Sequence, residues 1–252
     1  MEKVSFENNR GLELVGNFWK ADSDAGIVMV HGFTGDKSEH GYFDKVADEL
    51  NEAGYNVLAF DFAGSGESDD EPLRINKQVE DLEVAIDYLK SKKVERIGLF
   101  GHSQGGLVAL RNYNKGIETM VLTSPVTDRM ANYADDRLDE RQKSELEEKG
   151  QWTVYLDKGP REKIIVDQEI IREKESINQD KLLSRIDCPV LIIHGNEDEV
   201  VPIESSKKAV QKLSNSELKA IKGLDHSYDR FLDQISESTV KWFEKHLPIS
   251  ET

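Results

Sequence analysis

The chain has 252 residues, of which 37% are hydrophobic and 33% charged, and a formal net charge of -16. That length suits one α/β domain with an insertion or two small domains, and so acidic a balance without a basic cluster argues against a nucleic-acid face or an anionic membrane as partner. A single cysteine, Cys188, rules out an intrachain disulfide, and its place at the head of an apolar run predicts buried packing.

In chain order, residues 1–7 lack the apolar core of a signal peptide, and no segment is long and apolar enough to span a bilayer, so a cytoplasmic protein is expected. Residues 4–6 and 12–19 flank Asn8-Asn9-Arg10-Gly11 and predict a β-hairpin. Gly26-Ile27-Val28-Met29-Val30 is a continuous apolar run closed by His31-Gly32, the pattern of a strand covered on both faces. Residues 42–53 carry Phe43, Val46, Ala47 and Leu50 at helical spacing, with Gly54 as the stop. Residues 56–60 predict the next strand, and residues 79–89 a helix with Leu82, Ala85, Ile86 and Leu89 on one face. Residues 95–100 then read as a buried strand, 106–113 as a helix, and 117–123 as a strand closed by Ser124-Pro125. Further on, 189–193 reads as a strand ending at His194-Gly195, 203–213 as a helix, 217–221 as a strand and 231–246 as a last helix. Strands alternating with helices specify an α/β fold, a mostly parallel doubly wound sheet with crossover helices on both faces.

Residues 126–185 break this rhythm. They are charged and poor in strong core strands. Within them 136–149 reads as a solvated helix, and 151–156 with 163–166 flank Asp157-Lys158-Gly159-Pro160 as a hairpin. A connection of this length inside a compact domain is usually functional. It reads as an inserted cap or lid on a core domain made of 1–125 and 186–252. Trp152 and Tyr155 either line a pocket beneath it or, the preferred reading, form the lid's own small core.

Gly101-His102-Ser103-Gln104-Gly105 sits between the 95–100 strand and the 106–113 helix, and a Gly-x-Ser-x-Gly turn in that context is a nucleophile elbow. The turn is tight enough that side chains at 101 and 105 would strike backbone, so both positions are glycine. A serine hydroxyl needs a base to act as a nucleophile. Of six histidines, His102 adjoins the serine but the turn points it away, and His31 and His194 suit packing or turn support at strand ends. His40 starts a helix and His246 lies near the terminus. His226, in Gly223-Leu224-Asp225-His226-Ser227-Tyr228 after the last strand, is the preferred base. The base needs a carboxylate to hold its tautomer. Asp198, in the loop after the 189–193 strand, is preferred over its neighbours Glu197 and Glu199 and over Asp225. An oxyanion hole needs two backbone N–H groups, and those of Gln104 and of Phe33, in His31-Gly32-Phe33-Thr34-Gly35, are the candidates.

Together with Asp61-Phe62-Ala63-Gly64-Ser65-Gly66-Glu67-Ser68, these motifs resemble the α/β-hydrolase superfamily, in its order of nucleophile, acid and histidine. Within it, the 31–35 loop and the elbow are similar to serine carboxylesterases of the cinnamoyl/feruloyl-esterase type and to the related monoacylglycerol-lipase and serine-aminopeptidase-like groups. The resemblance implies hydrolysis of small acyl or aryl esters through an acyl-enzyme on Ser103, with His226 and Asp198 completing the triad and no cofactor or metal required. It also implies that the insertion shapes the acyl pocket. A small-molecule ester is the expected partner, and a homodimer stays open. Serine at the elbow argues against the haloalkane dehalogenase and epoxide hydrolase branches, which use aspartate there. A peptidase or thioesterase would use the same triad, and a ligand-binding protein with little turnover remains the rival from another class.

Overall fold

The computed structural model describes residues 1–228 and 230–249. Among these residues the main sheet has eight strands: β1 (Glu2–Glu7), β2 (Glu13–Trp19), β3 (Ala25–Val30), β4 (Asn56–Phe60), β5 (Arg96–His102), β6 (Ile117–Thr123), β9 (Val190–Gly195) and β10 (Ser216–Ile221). A separate hairpin, β7 (Gln151–Tyr155) and β8 (Lys163–Asp167), lies within residues 126–185. The spatial order is β1-β2-β4-β3-β5-β6-β9-β10. The first two pairings are antiparallel and the rest parallel. In the first hairpin, the Asn8 side-chain oxygen accepts from the amides of Arg10 and Leu12, so the turn closes on its own polar residue.

The chain runs from β3 to β4 on one side and then crosses to β5 on the other, so strand order reverses between β3 and β5. Loops leaving the C-terminal ends of neighbouring strands at such a point diverge and leave a crevice for ligands. Every residue of β3 is buried because both faces are covered. Ile27 and Met29 face a core shared with α1 (Tyr42–Glu52) and α9 (Leu232–His246), while Val28 and Val30 face α2 (Ile75–Ser91) and α3 (Gln104–Asn112).

Several boundaries differ from the sequence expectation for identifiable reasons. Helix α2 starts at Ile75 rather than 79. Arg74 supplies no side-chain cap, but the Glu173 carboxylate accepts from the amides of Ile75 (2.7 Å) and Asn76 (3.1 Å), so a residue about a hundred positions along the chain satisfies the helix end from outside. The single helix expected over 136–149 is two, α4 (Tyr133–Arg137) and α5 (Glu140–Lys149). Asp139 forms a capping box with Gln142 and restarts the helix there. Helices α6 (Glu169–Glu175) and α7 (Gln179–Leu183) go beyond the sequence expectation, and α8 (Ile203–Val210) stops short of 213.

The small separate core expected around Trp152 and Tyr155 does not form. Trp152 is 1% exposed and belongs to the same apolar cluster as Leu73, Leu107 and Leu110. Tyr155 is 66% exposed, with the Arg141 guanidinium 5.1 Å from its ring centroid, so it forms no core either. The Leu73 amide donates to the Ile165 carbonyl and the Asp167 amide to the Leu73 carbonyl, fastening β8 to the core.

Candidate active site

One residue turns the chain between β5 and α3. Ser103 has φ +52° and ψ -116°, a conformation that costs a non-glycine residue about 1–3 kcal/mol. The surrounding glycines make it attainable. A Cβ at Gly101 would lie 2.9 Å from the Gly105 carbonyl oxygen, and one at Gly105 would collide with the Val30 carbonyl, whose carbon would be 2.6 Å away. Gly105→Ala is therefore expected to destabilise by about 4 kcal/mol or more, lowering Tm by about 10 °C in a chain of this size. Calorimetry checks this, and an unchanged Tm would contradict the close approach.

The Ser103 hydroxyl lies 3.1 Å from Nε2 of His226, and Nδ1 of His226 lies 2.8 Å from Oδ2 of Asp198. The three come from the ends of β5, β10 and β9, so the sheet's C-terminal edge brings them together. Ser103 and Asp198 are buried and His226 is half-buried. The competing acids stand elsewhere. Glu197 and Glu199 are exposed, and Asp225 accepts from the amide and hydroxyl of Ser227.

Asp198 sits in a dense set of donors. Its Oδ1 accepts from the amides of Val200 (2.9 Å) and Val201 (2.8 Å), and its Oδ2 accepts from the Ser124 hydroxyl at 2.5 Å. Nε2 of His194 is 3.3 Å from Oδ2 and donates to the Val201 carbonyl at 2.9 Å, which assigns the ring proton to Nε2 and leaves Nδ1 to accept from the Ser206 hydroxyl. Burial alone would push the Asp198 carboxyl up. The hydrogen bonds from His194, His226 and Ser124 and the attraction of His226 outweigh it and hold the group well below the usual carboxylate range.

His102 does not face the serine oxygen. Its Nδ1 is 3.1 Å from the Thr123 hydroxyl, and its ring lies 5.0 Å, centroid to centroid, from that of His226. Burial, reinforced by repulsion from His226, pushes it down to about 3, so it packs beside the candidate base as an uncharged ring. Tyr228 completes the second layer, its hydroxyl 2.7 Å from that of Ser124 and 3.1 Å from the Ile193 carbonyl. Sequence reasoning misses Ser124 and Tyr228, because a hydroxyl after a strand carries no signal of its own. Both take positive φ, +42° and +67°. Among the remaining histidines, His31 is buried with Nδ1 on the Gly32 carbonyl, and its Nε2 accepts from the Phe62 amide. His40 is exposed, and His246 packs on Trp242.

The 31–35 loop leaves β3 and lies against the serine. A Cβ at Gly32 would be 3.4 Å from that of Ser103. Gln104 turns its side chain inward to Gln78, at 2.7 Å, and its amide heads α3 with no intrahelical acceptor. Among the described residues the Phe33 amide has no backbone acceptor. A cleft of about 490 Å³ opens over these groups, lined by Phe33, Glu39, His102, Ser103, His226 and, from the β7–β8 turn, Lys158. Neither Trp152 nor Tyr155 lines it. Among the described residues no cluster of three or more His, Cys, Asp or Glu side chains could hold a metal ion, and no helix is long and apolar enough to cross a membrane.

Residues 27–235 match the alpha/beta hydrolase family. The chain is 27% identical over 201 residues to the serine hydrolase BPHL of Homo sapiens, an alignment covering 72% of this chain and 66% of that protein. It is similar to the structure of Est1E from Butyrivibrio proteoclasticus with ferulic acid bound, with a TM-score of 0.80, 25% identity, and coverage of 97% of this chain and 99% of that one. It shares its fold with the monoacylglycerol lipase of Paleococcus ferrophilus, with a TM-score of 0.75, 21% identity, and coverage of 92% and 99%.

Proposed function

The chain belongs to the alpha/beta hydrolase family, and on that premise we propose that it is a serine carboxylic ester hydrolase acting on small acyl or aryl esters through an acyl-enzyme. The observation that carries the reading is the unbroken hydrogen-bonded path from the Ser103 hydroxyl through both ring nitrogens of His226 to the buried Asp198 carboxylate. Ester hydrolysis is favoured by the relatives, one a serine hydrolase and one holding an aryl acid. The size of the cleft falls within the range of small-molecule sites.

As Ser103 Oγ bonds to the ester carbonyl carbon, its proton passes to Nε2 of His226, and the carbonyl π pair moves onto oxygen. The amides of Phe33 and Gln104 donate to that oxyanion. When the carbonyl re-forms, the bond to the alcohol oxygen breaks, and the His226 proton goes to the leaving alkoxide. Water, deprotonated by His226, then attacks the acyl-serine. Collapse of this second intermediate breaks the acyl–Oγ bond, and the proton returns to Oγ. Asp198 keeps the Nδ1 proton in place, so that the Nε2 lone pair faces the serine, and it stabilises the imidazolium between transfers. In this reading residues 126–185 cap a core of 1–125 and 186–252, with Lys158 reaching the cleft mouth.

A fluorophosphonate tests the assignment without knowledge of the natural ester. One phosphonyl group per chain is expected on the peptide containing Ser103, with parallel loss of p-nitrophenyl butyrate hydrolysis. A fully labelled chain that keeps its activity, or an active chain that refuses the label, would overturn the proposal. Methyl ferulate and an acyl-length series of p-nitrophenyl esters then rank aryl against alkyl acyl groups.

A further inference from the structure

Two ionisable side chains that take no part in the transfers above converge on the 32–35 loop. Glu39 approaches from the turn after it. Its Oε1 accepts the Gly32 amide hydrogen, and the carboxyl fills the hollow of the loop so closely that a Cβ at Gly35 would lie 2.7 Å from its carboxyl carbon. The backbone is held in an unfavourable shape to present it, since Glu39 and His40 take φ of +44° and +59° in succession.

Lys174 approaches from α6 in the insertion. It is 3% exposed, and its Nζ lies 4.3 Å from the ring centroid of Phe33 and 4.3 Å from that of Tyr133, whose hydroxyl accepts from it at 3.1 Å. Its partners are thus ring faces and a phenol rather than a carboxylate. Both groups are held against their ordinary charge. Burial, with repulsion from Asp36, raises Glu39 to about 7 despite the Gly32 hydrogen bond. Burial, with repulsion from Arg137, lowers Lys174 to about 7 despite the attraction of Glu173. Groups buried this way reduce stability, and a local arrangement that costs stability without an evident structural return points to function.

We propose that Glu39 and Lys174 are positioning residues for the oxyanion hole, the carboxyl fixing Gly32 and the amine fixing the Phe33 ring, so that the Phe33 amide between them is aimed at the substrate's developing oxyanion. The inference rests on the ester-hydrolase reading and on Phe33 as an oxyanion donor. It also gives the insertion a part in catalysis, because α6 holds the oxyanion loop in register although Phe33 and Lys174 are far apart in the chain. An amide that matters only once negative charge develops affects kcat and leaves substrate binding nearly untouched.

The test is steady-state kinetics on p-nitrophenyl butyrate with paired variants. Glu39→Leu and Lys174→Met are expected to lower kcat by about 10-fold to 100-fold, short of the roughly 10²–10³-fold loss for removing an oxyanion donor outright, with KM held within about 2-fold. Glu39→Gln, which can still accept from Gly32, and Lys174→Arg, which can still pack its cation on Phe33, are expected to recover most of kcat. Tm is expected to stay level or rise in Lys174→Met, because an amine desolvated at a cost is replaced by an apolar side chain of similar length. Phe33→Leu keeps the amide but removes the ring, so it should lower kcat without adding to the Lys174→Met loss in the double variant. This arm serves if a first variant does not fold. A kcat unchanged in Glu39→Leu, Lys174→Met and Phe33→Leu, or a loss that follows Tm and is not recovered by the conservative pair, overturns the inference while leaving the esterase reading intact. A wild-type chain that neither hydrolyses the ester nor takes the fluorophosphonate overturns both.

Discussion

Ser103→Ala is expected to lower kcat/KM for p-nitrophenyl butyrate by about 10⁴-fold or more. The path from Asp198 through His226 ends on Oγ, at 3.1 Å, and without that atom the imidazole has no hydroxyl to activate for covalent attack. The amides of Phe33 and Gln104 stay in place, so a residual rate of about 10³-fold over the uncatalysed reaction should persist. The variant should remain folded. Alanine at φ +52° meets the same backbone strain as serine, and the described side-chain hydrogen bond of Ser103 is the one to His226. Initial rates with Tm measured alongside check both parts. A variant that keeps a tenth of the activity would remove Ser103 as nucleophile.

Asp198→Asn should cost nearly as much in kcat, about 10³–10⁴-fold, by a different route. The amide oxygen can keep the Val200 and Val201 amides, but an NH₂ group then occupies the place of Oδ2. His226 must turn a lone pair toward that donor, which moves its proton to Nε2, and a protonated Nε2 cannot take the Ser103 proton. The same substitution has a pH signature. The folded carboxyl titrates below its unfolded value of about 3.9. It therefore contributes stability that is fully present above about pH 4 and is lost as pH falls through the acid range beneath it. Urea titrations at pH 7 and in steps below pH 4 should show the wild-type advantage over Asp198→Asn shrinking with acid. A difference independent of pH would mean that the charge of Asp198 is not what the surrounding donors stabilise.

How much of this is legible in the sequence differs from residue to residue. The strand pattern is readable because apolar runs such as 26–30 are long, continuous and bounded by glycine, as a strand covered on both faces must be. The elbow is readable because its glycines answer a local steric demand, and Gly101 and Gly105 do abut backbone. Ser103, Asp198 and His226 can be named because each stands in a loop directly after a strand, and the fold carries all such loops to one edge.

The supporting residues have no such mark. His194 reads as a packing residue and turns out to lie beneath Asp198, while Ser124 and Tyr228 are ordinary hydroxyls until the sheet stacks them. The start of α2 escapes because its cap, Glu173, lies far along the chain. Trp152 is expected in a small core of the lid and sits in the main one, since nothing local tells an apolar side chain which surface will cover it.

The sequence by itself determined the alternation of strands and helices, the tight turn that carries Ser103, and the order of the three candidate catalytic residues, because these depend on neighbours within a few positions. Tertiary structure alone decided what surrounds them: the donors on Asp198, the neutral ring of His102 beside His226, and the grip of Glu39 and Lys174 on the 32–35 loop. Those contacts form only when segments distant in the chain exclude water from a shared space. For His102, Glu39 and Lys174 that loss of water sets the charge, whereas at Asp198 the gathered donors outweigh it.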